Sequence, residues 1–168
     1  MYNVLVIVEN GGNNLSAFTP DLPGACISTG ETREQLERNM YEALALHIKG
    51  TLEDKLDIPE PSIAVYLSVP VSILGEDLRM YRFLVLIRQG EIGWTARCDD
   101  LTDWNDSASE IVVNGATREE AEQKVYEALQ TQTAAMRAAG EEIPQYQTTA
   151  VYMLVPEPAS ERLLQAVA

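Results

Sequence analysis

With 168 residues, 46% of them hydrophobic and 23% charged, the chain is long and apolar enough to bury one or two ordinary cores, which argues against a largely disordered protein. Its net charge of −14, shared by both halves, argues against direct binding to DNA or RNA, because that affinity rests on Lys and Arg displacing counterions from phosphates. No apolar run approaches the ~18–20 residues that cross a bilayer, and "MYNVLVIVENGG" lacks the marks of a secretory leader, so a cytoplasmic protein without membrane contact is expected.

Residues 2–9 are apolar and β-branched, the pattern of a strand packed on at least one face. "GGNN" at 11–14 is a turn signal that folds a hairpin onto a second strand at 15–19. "PDLPG" at 20–24 breaks the ladder, since Pro20 and Pro23 have no amide hydrogen to donate and Gly24 tolerates an unusual backbone conformation. A third strand follows at 25–29. Thr32 then begins a helix as its cap, with Gln35 reaching back in a capping box. Leu36, Met40, Ala43, Leu44 and Ile48 trace an apolar stripe along a helix predicted to end near Asp54. "IPEP" at 58–61 marks the return, and 64–69 is a fourth strand.

The same order then recurs. "YRFLVLIRQG" repeats "YNVLVIVENG", "NGATREEAEQKVYEAL" repeats "TGETREQLERNMYEAL", and "AVYMLVP" repeats "AVYLSVP", at offsets of 79, 85 and 86. Thr117 and Glu120 repeat the cap, and Ala121, Val125, Ala128 and Leu129 repeat the stripe. The predicted fold class is therefore α+β: two tandem β-β-β-α-β units, each a small antiparallel-rich sheet with one helix on its face. The first copy is placed at 1–70, a linker at 71–79, and a degenerate second copy at 80–156. A short amphipathic helix carrying Leu163, Leu164 and Val167 is expected over 157–168.

Chemistry is sparse. His47 is the only histidine, and the second copy has Gln132 in its place, so it reads less as a general base than as a helix-face residue that packs or favours the negative end of the helix dipole. Cys26 and Cys98 form no motif and are expected as buried free thiols. No nucleophile–base pair, zinc ligand set or phosphate-cradling glycine loop is present, so no catalytic residue, cofactor or metal site is expected. Asp99, Asp100, Asp103, Asp106 and Glu110 lack the spacing and turn glycine of a calcium loop and read as a solvated acidic loop. Trp104 within it suits an interface anchor, or packs over the adjacent sheet. A β-β-β-α-β order also begins an RNase H-like core, but neither first strand carries a central aspartate that could hold the two metals of that chemistry.

The run from "YNVLVIVENGG" through "PDLPGACISTGET" to "IPEPS" resembles the N-terminal domain of the HicB antitoxin family; residues 2–70 carry the full pattern, and 80–156 carry it loosely, with "DDLTDW" where PDLPG-like residues belong. The resemblance implies a degraded RNase H-like fold without nuclease activity. It also implies a stoichiometric inhibitor that binds and covers a small basic HicA-like, mRNA-cleaving toxin of double-stranded-RNA-binding-like fold. The acidic balance independently suits a basic partner, which its field would steer into encounter. On this reading Pro20, Asp21, Leu22, Pro23, Gly24 and Trp104 are the partner-binding candidates. The alternative is an orphan HicB-like scaffold that forms a homo-oligomer without a toxin. Family members commonly carry a C-terminal DNA-binding domain; a second copy fills that space here, so autorepression is not expected.

Overall fold

The computed structural model of the chain describes residues 1–72, 78–101, 110–144 and 148–158. These form β1 (Tyr2–Asn10), β2 (Leu15–Phe18), β3 (Ile27–Gly30), α1 (Arg33–Glu53), β4 (Ile63–Val71), β5 (Arg79–Gly90), β6 (Gly93–Cys98), β7 (Ile111–Gly115), α2 (Arg118–Ala139) and β8 (Thr149–Val155). The class is the expected α+β, with two four-stranded antiparallel sheets and a helix packed on each. Of the helix expected over 157–168, residues 159–168 lie outside the described residues, and 157–158 are not helical.

What the repeat pattern does not reveal is which sheet each fourth strand joins. The sheet orders are β3-β2-β1-β8 and β4-β5-β6-β7. The last strand of each copy thus closes the sheet of the other. β1 pairs with β8 so that Tyr2 faces Val155 and Val4 faces Met153; β5 pairs with β4 so that Tyr81 faces Val69 and Phe83 faces Leu67. Under the sequence offsets these two ladders have the same register. The chain accordingly divides into two compact units, Met1–Pro61 with the strand from Thr149, and Ser62–Thr148.

In the first unit, Leu36, Met40, Leu44 and Ile48 recur every fourth residue along α1 and lie against Val4, Val6 and Val8 of β1, Ala17 of β2 and Val155 of β8. Each such side chain contributes about 1.5–3 kcal/mol when fully buried. In the second unit the helix presents smaller residues, with Ala121 and Val125 in the places of Leu36 and Met40. The sheet compensates: Phe83 and Ile87 stand where the first unit has Val4 and Val8. Close packing demands this exchange of volume between layers.

The helix starts explain two glycines. A Cβ on Gly30 would lie 2.5 Å from the Leu36 amide nitrogen, and one on Gly115 would lie 2.5 Å from that of Ala121. Each glycine lets the third strand end directly beneath the first turn of the helix. The caps are close to expectation. The Gln35 amide donates to Thr32 Oγ1 at 3.2 Å and the Glu120 amide to Thr117 Oγ1 at 3.1 Å. The back-reaching groups, however, accept from Glu31 and Ala116, one residue before the cap, where a capping box would take the cap's own amide.

Candidate partner-binding turn

Beyond β2 the backbone leaves the ladder because Pro20 and Pro23 offer no amide hydrogen, and the Thr19 amide closes the loop by donating to the Cys26 carbonyl at 3.2 Å. Leu22 points inward and is 7% exposed, part of the α1 core, so it anchors the turn. Pro20 and Asp21 are half-buried. Pro23 and Gly24 are exposed together with Ala25, and Gly24 has φ +80°, a conformation that a side chain would strain. The five residues of the motif thus divide between a buried foot and an exposed tip.

His47, which by sequence alone has only a packing role, fixes that tip. Its Nε2 lies 2.8 Å from the Pro23 carbonyl oxygen. A carbonyl can only accept, so this nitrogen carries a proton and donates. Asn39, two turns earlier on the same flank, donates its Nδ2 to the Thr29 carbonyl of β3 at 2.9 Å. One flank of α1 therefore holds both the turn and the edge strand that follows it. The only signal for His47 in the sequence is its spacing from Asn39; its target, 24 residues away, has no sequence cue.

The corresponding place in the second unit follows from the ladder. Phe18 faces Ile7 and Arg97 faces Leu86, which puts Asp100 and Leu101 where Asp21 and Leu22 stand. Leu101 is again buried. Asp100 corrects the reading of a solvated acidic loop: it is 6% exposed, accepts from the Leu84 amide at 2.7 Å through Oδ2, and accepts from the Thr148 hydroxyl at 3.0 Å through Oδ1. Burial pushes its carboxyl above the usual range, and the two hydrogen bonds only partly offset this. As the chain leaves β6, this carboxylate occupies the ladder position that would otherwise leave the Leu84 N–H bare. Asp99 is partly exposed and pairs with Arg97 at 3.2 Å. Lys124 takes the role of Asn39, donating to the Asn114 carbonyl of β7 at 2.9 Å. Trp104, Asp103 and Asp106 lie outside the described residues.

Cys26 and Cys98 are free and buried, as expected. Burial raises both thiols, Cys98 to about 12 with Asp100 adding to the effect, so neither is a thiolate at neutral pH. Among the described residues no group of three or more His, Cys, Asp or Glu side chains could hold a metal ion, and no helix is long and apolar enough to cross a membrane.

Comparison with known proteins is informative for the first copy. Residues 2–70 match the family described as HicB_like antitoxin of bacterial toxin-antitoxin system. The chain is also 35% identical, over 66 residues, to an uncharacterized 14.9 kDa protein encoded in the rep-hol intergenic region of Haemophilus phage HP1 (strain HP1c1). That alignment covers 39% of this chain and 49% of the relative, so the chain spans about half the length of the curated relative it matches. No solved structure matches.

Proposed function

We propose, from the premise that residues 2–70 are a HicB-like antitoxin domain, that the chain neutralises a small basic HicA-like, mRNA-cleaving toxin by binding and covering it. The observation that carries this reading is the turn itself: Pro23, Gly24 and Ala25 are exposed, yet held by a buried leucine beneath and a histidine hydrogen bond behind. Holding a recognition loop in place before contact reduces the ordering cost of binding. The charge of −14 supplies the steering. Inhibition by occupation needs no catalytic group from the inhibitor, and the chain acts without turnover.

Recovery of the tagged chain from its own cells, followed by mass spectrometry of what stays bound, tests the proposal. One small basic polypeptide in stoichiometric amount, released as salt screens the charges, is the expected result. Recovery of the chain alone would sink the toxin-neutralising role and favour the orphan scaffold.

A further inference from the structure

The closing strands β4 and β8 are close equivalents, each pairing in one register with the first strand of its sheet, and we infer from this that the chain associates with a second copy of itself by passing β8 to that copy's β1. Three observations support it, and none depends on the toxin reading. First, the two closing ladders share one register, with Val69 opposite Tyr81 and Val155 opposite Tyr2. Second, the inward residues are close equivalents, Val65, Leu67 and Val69 in one strand and Val151, Met153 and Val155 in the other, and both terminal valines are fully buried. Third, both strands are reached from their helices by connections of equal length, residues 54–62 and 140–148.

The point from which β8 departs is fastened to the second unit. Thr148 donates its hydroxyl to Asp100, and its carbonyl accepts from the Tyr66 hydroxyl at 3.3 Å; the Tyr66 ring lies 3.9 Å from the Arg82 guanidinium carbon. Beyond that anchor, β8 is a seven-residue arm whose ladder partner is β1. The β1 of a second copy offers the same ladder, so closed and exchanged forms make the same strand contacts. Which one forms is then a matter of concentration: a short tether holds β8 at an effective concentration on the order of 1 mM, and a second copy must compete with that while the chain folds.

The test is made on the full chain. Wild-type protein is refolded from denaturant under reducing conditions at about 1 µM, far below the tether's effective concentration, and at about 1 mM, which matches it, and each product is sized after dilution. Monomer from the dilute sample, and a dimer from the concentrated one that survives dilution for hours, are expected, because release of β8 requires unzipping a ladder. A second protein carrying Asn3→Cys and Leu154→Cys locates the exchanged strand. These residues are exposed ladder partners, and antiparallel partners stand ~4.5–5.5 Å apart at Cα, within disulfide range. Air oxidation of the folded dimer fraction should give a covalent dimer on a non-reducing gel, and of the monomer fraction an internally linked monomer; Cys26 and Cys98 are buried and do not interfere. A monomer at both concentrations, a dimer that falls apart on dilution, or a dimer whose links are all internal would each overturn the inference.

Discussion

Tyr2 and Val155 are ladder partners although they stand near opposite ends of the chain, and Tyr81 and Val69 repeat the pairing in the same register. Each closing strand therefore stabilises the sheet of the copy it does not belong to. Val155→Ala removes methyl groups from a fully buried site and should cost about 2 kcal/mol. In hydrogen exchange the lost protection should appear in β1 and α1, while Val69→Ala should weaken β5 and α2. Loss confined to β5 on changing Val155 would refute the strand assignment.

His47 donates to the Pro23 carbonyl at the tip of the turn, in an exposed hydrogen bond that water can partly replace. His47→Ala should therefore cost no more than about 1 kcal/mol of stability. The turn should loosen all the same: amide exchange at Gly24 and Ala25 should accelerate, and affinity for the basic partner proposed above should fall several-fold. Glutamine retains a donor of similar reach and already stands at the equivalent position, Gln132, so His47→Gln should recover most of the affinity. Calorimetry on the two variants distinguishes a lost hydrogen bond from a lost imidazole.

Asp100 makes stability depend on pH in a definite direction. Its folded-state carboxyl is raised above the ordinary 3.8, so the folded protein binds a proton more readily than the unfolded chain. Stability linked to this group is fully present below pH 3.8 and is lost as pH rises through the folded-state value. Asp100→Asn keeps an acceptor for the Leu84 amide and leaves a group that can pair with the Thr148 hydroxyl, without the buried charge. Measured against that variant by urea denaturation, the wild type should gain ground as pH falls from 7 toward 4. Asp100→Leu, which leaves the Leu84 N–H unpaired, should be less stable than Asp100→Asn by about 1–3 kcal/mol at any pH.

The glycines should divide by their surroundings. Gly30→Ala and Gly115→Ala drive a methyl group into helix backbone and should each cost about 3 kcal/mol or more, enough to lower soluble yield. Gly50 lies inside α1, and a methyl group added there would meet nothing within 4 Å, so Gly50→Ala should raise stability by about 0.5–1 kcal/mol. Thermal melts of the three variants read both signs.

Much of this molecule follows from local pattern. The alternation of Val4, Val6 and Val8, the four-residue spacing of Leu36, Met40, Leu44 and Ile48, and the threonine caps fix where strands and helices lie and which face each buries. Those features depend on neighbours in sequence, and the sequence displays them. The division of "PDLPG" into a buried leucine and an exposed proline and glycine was less legible, because an apolar residue in a turn carries no mark of which way it points.

The roles of His47 and Asp100 depended on tertiary structure, since each acts on backbone groups brought near only by folding: a carbonyl 24 residues away, and an amide 16 residues away. An aspartate inside an acidic run looks solvated until the bend after β6 turns it inward. The partner of each closing strand depended on tertiary structure for a deeper reason. Side-chain period sets the face a strand buries but not the strand beside it. "AVYLSVP" and "AVYMLVP" carry the same alternation, so the sequence pattern assigns neither to a sheet, and only the folded ladders show which sheet each one closes.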